Sequence, residues 1–498
     1  MKTQLRTACI RVFLLLTLAI APAFAAGPRY TVTDLGTLDG PSVARAINNA
    51  GVVVGTFEDP SIGFEHAFVW RNGVMTRLED LNADGAAFAM AIGGGGHIAG
   101  FASPVPGGGP MHAVRWSNRQ IQDLGDGLGN GVDHRGRVVG VDGNGRATLW
   151  DQAGTPVNLI PQQTDSQTEA RAINARGQVV GGGLRPSANQ NGHAFVWHNG
   201  IVTDLGVLPS NCGGCENSEA RAINTDGQIV GDSLVDNFPG NTHAVMWHNG
   251  RITDLGQLPN FTTNQAHGIN AAGQVVGVAA PLFGGAADFR AFLWEGGLGM
   301  VDLNTLIPAT SGWVLTFALG INDRGQIVGV GLHNGESRGF LLTPKFSATI
   351  NFQPAGTNTP IGYLADTGAA FGNRGNGLRY GWNIDNSAHA RERNSPRSPL
   401  LRYDTLNHMQ KPGGAGRWEL AVPNGRYTVH VVAGDPTAID SIYRINVEGR
   451  LLVSGAPTVE RRWLEGSATV TVTDGRLTIG NASGSSNNKI NYVDIIGR

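Results

Sequence analysis

One position of a repeated sequence phrase carries side chains that can bind anions. The phrase Ala-Ile-Asn-x-x-Gly-Gln-Val-Val-Gly recurs along the chain, and the residue before it is basic in four copies: Arg45, Arg171, Arg221 and His267. Guanidinium groups bind carboxylates and phosphates bidentately, so such groups around one opening would form an anion site. The alternative is structural, with each arginine paired to an aspartate of a neighbouring repeat. Those aspartates are Asp34, Asp204 and Asp254. The sequence favours the structural pairing.

Acidic residues on variable connections form a second candidate group. They are Asp165, Glu169, Glu216, Glu219, Asp232, Asp236 and Asp288. Two carboxylates that flank a glycosidic bond can catalyse its hydrolysis, but nothing in the sequence selects a pair. The sequence contains no Gly-x-Ser-x-Gly, His-Glu-x-x-His or phosphate-loop motif. No catalytic residue is therefore predicted.

A Gly-rich segment from Tyr363 to Asn394 carries the residue types found in sugar sites. Aromatic faces cover the C–H surfaces of a pyranose ring, and fixed polar groups bind its hydroxyls. The candidate ligand-binding residues are Tyr363, Asp366, Tyr380, Trp382, Asn386, Arg391 and Arg393. The alternative is that Tyr380 and Trp382 fill a hydrophobic core while the charged residues face solvent, and the sequence does not decide between the two.

Two cysteines remain once the N-terminal segment is set aside. Cys212 and Cys215 stand in Asn-Cys-Gly-Gly-Cys-Glu, and outside the cytoplasm such a pair is expected to form a local disulfide. A redox role would need a thioredoxin-like setting, and a zinc site would need further ligands. No cofactor is predicted, because a structural Ca²⁺ bound by Asp or Asn oxygens would call for a loop motif that this sequence lacks.

A repeated β unit must position these side chains. Copies of the phrase start at Ala46, Ala91, Gly131, Ala172, Ala222, Gly268 and Gly320. Each runs together with versions of His-Ala-Phe-Val-Trp and Thr-Asp-Leu-Gly, so each unit offers four short β segments. Asn-x-x-Gly and Asn-Gly are hairpin signals, the first with glycines such as Gly51 and Gly177 at positive φ, the second at Asn72, Asn199 and Asn249. Seven four-stranded units predict an all-β fold, a seven-bladed β-propeller.

The order of segments predicts how the array closes. A lone fourth segment, Tyr30 to Gly36, precedes the first unit, and the last unit ends after its third segment, Arg338 to Leu342. The N-terminal strand is therefore expected to complete the last blade. Tryptophans that end the third segments are expected to pack between blades. They are Trp70, Trp116, Trp150, Trp197, Trp247 and Trp294.

The two ends of the chain bear on its location and partners. Residues 1–25 combine Lys2, Arg6 and Arg11 with an apolar run and Ala-Phe-Ala, which predicts an export signal and a secreted or periplasmic protein. The full chain has 498 residues and a net charge of −2, and loss of the three basic residues makes it −5. Mild acidity argues against nucleic acid as a partner. No later stretch is long enough to span a membrane, and a monomer is expected.

Past residue 344 the repeat stops and a second β domain is predicted. Alternating segments with turns at Asn424-Gly425 and Asp474-Gly475 indicate a β-sandwich of jelly-roll type. The predicted organisation is therefore a signal peptide over 1–25, a propeller over 26–344 and a jelly roll over 345–498.

The repeated phrases resemble those of the HAF repeat family of bacterial proteins, which are inferred to be extracellular. The resemblance covers residues 30 to 342 and implies export and a repeat fold, with no established activity. The phrases Ile350 to Pro354, Arg379 to Asn383, Val431 to Pro436 and Asn487 to Ile495 resemble malectin-like, galactose-binding-type jelly rolls. That second resemblance implies carbohydrate binding.

Together these features predict an exported, non-catalytic protein that binds glycan or cell-surface polysaccharide. The C-terminal sandwich is the predicted binding domain, and the propeller is its scaffold or second binding surface. One alternative is a secreted polysaccharide lyase or glycoside hydrolase with its site on the variable propeller face. Another is a scaffold for protein interactions.

Overall fold

A computed structural model describes residues 29–498 apart from 84, 107–108, 164–166, 186–191, 210–215, 237–240 and 412–413. The predicted signal, Asp165 and the Cys212–Cys215 pair lie outside the described residues. The chain divides into two compact units, one ending at Pro344 and the other running from Lys345 to Arg498. Both consist of strands paired almost entirely antiparallel, as the all-β prediction required.

The first unit begins with β1 (Tyr30–Asp34) and continues as seven repeats of short strands. Repeat 1 holds β2 (Ser42–Ile47), β3 (Val53–Asp59), β4 (Phe64–Arg71) and β5 (Val74–Arg77). Repeat 2 holds β6 (Ala87–Ile92), β7 (Ile98–Ala102), β8 (His112–Ser117) and the first half of β9 (Gln120–Val132). Repeat 3 holds the second half of β9, then β10 (Val138–Asp142), β11 (Ala147–Trp150) and β12 (Pro156–Asn158).

The later repeats follow the same order. Repeat 4 holds β13 (Glu169–Ile173), β14 (Val179–Leu184), β15 (His193–His198) and β16 (Ile201–Asp204). Repeat 5 holds β17 (Ser218–Ile223), β18 (Ile229–Leu234), β19 (Thr242–His248) and β20 (Arg251–Asp254). Repeat 6 holds β21 (Thr263–Ile269), β22 (Val275–Ala280), β23 (Arg290–Glu295) and β24 (Gly299–Asp302), and repeat 7 holds β25 (Trp313–Ile321), β26 (Ile327–His333) and β27 (Glu336–Pro344). Short 3-10 helices span Ala286–Asp288 and Leu303–Leu306.

The predicted pairing of the N-terminal strand with the last repeat is confirmed. Strand β1 lies antiparallel to β27, with Tyr30 opposite Pro344 and Val32 opposite Leu342. The hairpin predictions are confirmed as well, because Gly51 and Gly177 have φ of 80° and Asn72 has φ of 51°. Trp116 and Trp150 are buried, as interblade packing required, whereas Trp197 and Trp294 are half-buried at the margins of their clusters.

The first strand of each repeat, called here the leading strand, lies beside the leading strand of the next repeat. These strands are β2, β6, β9, β13, β17, β21 and β25, and β25 in turn contacts β2. A buried asparagine at the end of the leading strand links neighbouring repeats. Asn174 Nδ2 donates to Asn224 O at 3.0 Å, and Asn322 Nδ2 donates to Asn48 O at 3.0 Å.

A β-bulge interrupts every leading strand at the same repeat position. In repeat 4, Ala170 and Ala172 pair with Gly181 and Val180, so Arg171 between them has no partner on β14. A Cβ on Gly181 would meet the carbonyl oxygen of Glu169 closer than real Cβ atoms approach an oxygen. The bulge therefore explains why the repeated phrase ends in glycine, and the equivalent glycines meet the same carbonyl in the other repeats.

The second unit holds two larger sheets and two small ones. In chain order its elements are β28 (Ser347–Phe352), β29 (Leu364–Asp366), β30 (Gly372–Asn373), β31 (Arg379–Trp382), a 3-10 helix (Ser387–His389), β32 (Ala390–Glu392), α1 (Leu401–Asp404), β33 (Thr405–His408), β34 (Gln410–Lys411), β35 (Gly414–Ala415), β36 (Trp418–Ala421), β37 (Gly425–Gly434), β38 (Tyr443–Val447), β39 (Arg450–Gly455), β40 (Trp463–Val472), β41 (Arg476–Asn481), β42 (Lys489–Ile490) and β43 (Tyr492–Gly497). The strand order is β29-β28-β43-β37-β40 in one sheet and β30-β31-β36-β41-β38-β39 in the other, and the two sheets share one hydrophobic core.

A histidine bridges three strands on the face of the first sheet that points away from this core. His430 on β37 lies 3.3 Å from Asp494 Oδ2 on β43 and 3.2 Å from Glu465 Oε2 on β40. Burial lowers the pKa of His430, but hydrogen bonds to Asp494 and Glu465 outweigh this effect, so the pKa is raised above 6.5. The protonated imidazole therefore stabilises the sheet.

We predict that Gly181→Ala destabilises the first unit by about 1–3 kcal/mol, because the new methyl group collides with a backbone carbonyl that cannot move aside. Calorimetric unfolding of the full chain measures the loss. Gly285→Ala is the matched control, because a Cβ there meets nothing within 4 Å. Equal midpoints for the two variants would contradict the bulge geometry.

We predict that His430→Gln weakens the sheet at pH 6 by about 1–2 kcal/mol and has little effect at pH 9. The folded pKa is raised, so this stability is complete below pH 6.5 and disappears as the pH rises through the folded value. Hydrogen exchange of β37 and β43 in the full chain reports it. His408→Gln is the control, because burial lowers the pKa of His408 to about 4 and the ring stays neutral at both pH values. A His430 effect that is equal at pH 6 and pH 9 would refute the ion-pair role.

Candidate functional site

The bulges place one side chain from every repeat at an equivalent position. A bulge leaves its extra residue unpaired, bends the strand and re-aims the side chain. The bulge residues are Arg45, Met90, Asn130, Arg171, Arg221, His267 and Leu319. All seven are half-buried. The four residues that the sequence analysis singled out therefore occupy one structural position, together with three others.

A second tier of residues lies two positions earlier on the same strands. These residues are Val43, Phe88, Leu128, Glu169, Glu219, Gln265 and Phe317, and all are half-buried. The residues between the tiers are buried alanines or glycine, such as Ala170 and Gly129, so the two tiers share the exposed side of each strand. The fourteen side chains are called the bulge surface.

Repeats 4 and 5 contribute an ion-pair network to the bulge surface. Arg171 Nη2 lies 2.9 Å from Glu169 Oε2 and also contacts Glu219 Oε1. Arg221 Nη2 lies 2.7 Å from Glu219 Oε2 and its Nε lies 2.7 Å from Asp232 Oδ1. Glu219 therefore bridges two arginines, and each arginine bridges two carboxylates.

Repeat 3 joins the network through Asn130, whose Nδ2 donates to Glu169 Oε1 at 2.9 Å. Burial raises the pKa of Glu169, with the charge of Glu219 acting in the same direction and the charge of Arg171 acting against it. Burial likewise raises the pKa of Asp232, against the charge of Arg221. The network is thus partly withdrawn from water, and its polar groups are held in fixed directions.

His267 faces the same cations. Burial lowers its pKa to about 3, and the charges of Arg221, Arg171 and Arg45 act in the same direction. The imidazole is therefore neutral at pH 7, and its Nε2 has no hydrogen-bond partner among the residues that the structure describes. Residues of repeats 1, 4, 5 and 6 consequently act on one another electrostatically across the bulge surface.

A cleft of about 450 Å³ opens beside the network. Its polar lining comes from residues at the start of β13 and β17, namely Gln167, Thr168, Glu169, Asn217, Ser218 and Glu219. Such a lining offers amide and hydroxyl donors next to two carboxylate acceptors. Within the described ranges, no group of three or more His, Cys, Asp or Glu residues is arranged to hold a metal ion. The amide, hydroxyl and carboxylate groups of the lining suit a polar organic ligand.

The predicted pairing of the arginines with aspartates is wrong. Asp204 and Asp254 instead accept from histidines of their own repeat, His193 Nδ1 at 2.9 Å and His243 Nδ1 at 2.7 Å. Asp34 likewise pairs with a histidine, His333 on β26, at 2.9 Å. The reason is geometric, because these aspartates end the fourth strands, which pair with the third strands rather than with the leading strands.

The predicted loop carboxylates separate into two groups. Glu169, Glu219 and Asp232 lie on strands β13, β17 and β18 rather than on the predicted connections, and they come together in the network. Asp288 instead accepts from Gly285 N in its own loop, and Glu216 is exposed. The sequence therefore contained the acidic part of the site without distinguishing it from the remaining acids.

In the second unit, the predicted sugar-stacking face is not available. Tyr380 is 2% exposed and Trp382 is 0% exposed, and both belong to the core that the two larger sheets share. Asp366 is buried with them and accepts from Trp382 Nε1 at 2.9 Å and Trp418 Nε1 at 2.8 Å. Residues 380 and 382 alternate with Gly381 on β31, so their side chains point to the same side of the sheet. Together with Asp366, which binds the tryptophans, they have a structural role.

The other candidates of that segment are also held by the fold. Asn386 is buried and donates to Asn407 Oδ1 and to His408 O, each at 2.9 Å. Arg393 pairs with the buried Asp435. The Tyr363 hydroxyl donates to Asp494 Oδ1 at 2.9 Å, and Arg391 donates to the carbonyls of Ala388 and Ala390. The segment therefore provides no cluster of free polar groups around an open aromatic ring.

Sequence reasoning missed the uncharged residues of the second tier, including Phe88, Gln265 and Phe317, although it named Glu169 and Glu219 among the acidic candidates. An available signal was the alternation of the leading strand, because residues two positions apart face the same side. Extending the repeat alignment by two residues towards the N-terminus would have brought these side chains next to the basic position. Asn130 and Met90 were missed because their copies of the phrase are degenerate.

Among the described residues, no helix is long and apolar enough to cross a membrane. No family model and no curated protein matches the chain.

Solved structures resemble the chain at low similarity. Trypanosoma rangeli sialidase in complex with sialic acid is 10% identical, with a TM-score of 0.34 over 95% of this chain and 94% of that chain. Virginiamycin B lyase from Staphylococcus aureus is 12% identical, with a TM-score of 0.39 over 63% of this chain and 98% of that chain. A Bacillus subtilis protein is 16% identical, with a TM-score of 0.22 over 31% of this chain, which spans 40% of that protein's length. These similarities assign the chain to no family and transfer no function to it.

Proposed function

We propose that this protein is a non-catalytic saccharide-binding protein whose ligand site is the bulge surface. The observation that carries the proposal is the β-bulge repeated in all seven leading strands, which brings fourteen half-buried side chains to one face of the strands. In a closed seven-bladed β-propeller these strands surround the central channel, and the bulge surface lines one end of it.

Closure of the ring is supported by contacts between its ends. Strand β25 contacts β2, β1 completes the sheet of repeat 7, and Asn322 donates to Asn48 O at 3.0 Å. A cavity of about 210 Å³ at the turn end of the leading strands is lined by residues of six repeats, among them Asn49, Asn174 and Asp323. Side chains of six separate repeats reach one cavity when the strands are arranged around an axis.

The chemistry of the bulge surface supports a saccharide as the ligand. Sugar hydroxyls need fixed donors and acceptors in close alternation, which Asn130, Arg171, Glu219 and Gln265 supply. The C–H face of a pyranose ring needs an apolar surface, and Phe317 lies on the same tier as Glu219.

The proposal moves the glycan site from the second unit to the first, because Tyr380 and Trp382 belong to the core of the second unit. The second unit remains a proposed jelly roll, supported by its pattern of strands and turns, its two sheets around one core and the malectin-like resemblance. Four further statements also remain proposals from the sequence. They are export, the Cys212–Cys215 disulfide, the monomeric state and membership of the HAF repeat family.

One observation favours a second candidate function, glycoside hydrolysis. Glu169 and Glu219 contact the same nitrogen of Arg171 and line the same cleft, so their nearest oxygens lie within about 5–6 Å. Retaining glycosidases use two carboxylates about 5–5.5 Å apart. However, the Arg171 guanidinium fills the space between the carboxylates, where the anomeric carbon of a substrate would have to lie. Binding is therefore the first proposal and hydrolysis the second.

We predict that the full chain binds oligosaccharides and that Gln265→Ala weakens this binding roughly fivefold through loss of a hydrogen bond. An array of neutral and acidic glycans identifies the ligand, and calorimetry measures the affinity. Gln120→Ala is the matched control, because Gln120 is exposed at the first residue of β9, distant from the bulge surface in the strand. Absence of any bound glycan, or an equal effect of both substitutions, would refute the site.

We predict no release of reducing ends when the full chain is incubated with the oligosaccharides that it binds. If hydrolysis occurs, Glu169→Gln distinguishes the two candidates. A true acid or base at this position loses roughly 100-fold or more in rate, since general acid–base catalysis contributes 10²–10⁴-fold. Turnover that disappears in Glu169→Gln while the affinity persists would establish the second candidate and overturn the first.

A further inference from the structure

The bulge surface has two chemically different parts. Repeats 3 to 6 supply a polar arc, which comprises Asn130, Glu169, Arg171, Glu219, Arg221, Gln265 and His267 and contains one apolar residue, Leu128. Repeats 1, 2 and 7 supply an apolar arc, which comprises Val43, Phe88, Met90, Phe317 and Leu319 and contains one charged residue, Arg45. The strand register places the same two positions of each repeat on this surface, and the residue types at these positions produce the division.

Each charged side chain of the polar arc already forms an ion pair with a group of opposite charge. Arg171 and Arg221 are paired with Glu169, Glu219 and Asp232, and His267 is neutral at pH 7. A saccharide approaching this arc therefore meets hydrogen-bonding groups whose charges already have partners. Such groups suit hydroxyls better than an ionised group, because an ion would disrupt a satisfied network.

Arg45 in the apolar arc is not matched. It forms no ion pair with a described residue, and its Nε is buried without a hydrogen-bond partner. Burial lowers its pKa, and the charge of Glu65 opposes this without making a salt bridge. The equivalent residues of the adjacent repeats are Met90 and Leu319, whose side chains offer it at most the weak acceptor sulfur of a thioether. A half-buried guanidinium without an ion-pair partner gains strongly from an anionic partner.

We infer that the ligand is an acidic saccharide, a sugar bearing a carboxylate, whose carboxylate pairs with Arg45 while its hydroxyls face the polar arc. This inference rests on the proposed function and names the ligand class for the same site. The pyranose ring would lie between the two arcs, with Phe88 or Phe317 against its C–H face. A planar guanidinium binds a carboxylate through two parallel hydrogen bonds, which a lysine cannot reproduce.

The experiment compares acidic oligosaccharides with their neutral methyl esters. A panel with galacturonate, glucuronate, mannuronate and sialate residues is titrated by calorimetry into the full chain, alongside each ester. The expected result is binding of at least one acidic member, tenfold or more tighter than its ester, weakened by added salt for the acid alone. Within each pair, esterification removes the carboxylate charge and adds one methyl group.

Substitutions of Arg45 locate the carboxylate. In Arg45→Gln the affinity for the acid falls at least tenfold, to that of the ester, and the affinity for the ester is unchanged. Arg45→Lys keeps part of the preference for the acid, which a merely structural role would not produce. Arg251→Gln, on the exposed edge strand β20, is the charge-matched control and retains wild-type affinities.

Each alternative outcome has a defined meaning. Equal affinity of the wild-type chain for acid and ester, or binding of neutral glycans alone, overturns the carboxylate inference and leaves the proposed function standing. An equal loss for both ligands in Arg45→Gln also overturns it, since Arg45 would then support the site rather than contact the charge. Absence of binding to every saccharide overturns both the inference and the proposed function.

Discussion

In five of the seven repeats, one asparagine side chain makes two connections on which the first unit depends. Its Oδ1 accepts the N–H groups two and four residues later, as Asn322 does from Arg324 and Gln326, and so shapes the tight turn after the leading strand. Its Nδ2 donates to a carbonyl of the next repeat, and the chain of such bonds runs from repeat 4 through repeat 7 to repeat 1. Each group is buried, where loss of a partner costs about 1–3 kcal/mol.

The interruption of this chain shows which part of the asparagine is essential. Repeat 3 has Asp133, whose Oδ1 still accepts from Arg135 N and Arg137 N, so the turn is preserved. Its second oxygen cannot donate and is bound by Arg137 Nε at 2.8 Å within the same repeat. Repeat 2 has Gly93, which receives a bond from Asn48 but cannot send one on. The turn thus tolerates a carboxylate, whereas the link between repeats requires an amide.

The bulge imposes the second constraint, and glycine is the residue that satisfies it. The leading strand bends at the bulge, which brings the carbonyl group of the second-tier residue over the partner strand. Only a residue without a Cβ atom fits opposite that carbonyl group. The small residues between the tiers, such as Ala170 and Ala220, are likewise buried with 0% exposure. Backbone geometry therefore holds the small residues constant and leaves the bulge and second-tier positions free to vary.

Much of the fold follows from the sequence because its constraints are local. The turns, the order of strands and the pairing of β1 with β27 were predictable, since Asn-Gly and Asn-x-x-Gly act within a few residues. The side-chain partners that lie on neighbouring strands were not predictable. Asp204 ends a fourth strand and faces His193 rather than an arginine, a choice set by register and not by residue type. The sequence likewise identified Trp382 as an aromatic residue that could stack on a sugar. Only the pairing of β31 with β36 shows that its side chain faces the core.

The candidate site was predictable in proportion to the regularity of the repeat. Arg45, Arg171, Arg221 and His267 precede clear copies of the phrase and were found, whereas Met90 and Asn130 precede degenerate copies and were not.

This difference between regular and variable positions has a physical origin. The positions that build the scaffold must be repeated, because each one satisfies the same backbone geometry in every repeat. The bulge positions satisfy no such requirement, so they differ from repeat to repeat, as Arg, Met, Asn, Arg, Arg, His and Leu do. If the seven leading strands surround one site, as we propose, an asymmetric ligand can be recognised only through such differences. The contrast between an apolar arc with one unmatched guanidinium and a polar arc with matched charges is therefore the feature of this surface from which we infer the class of the proposed ligand.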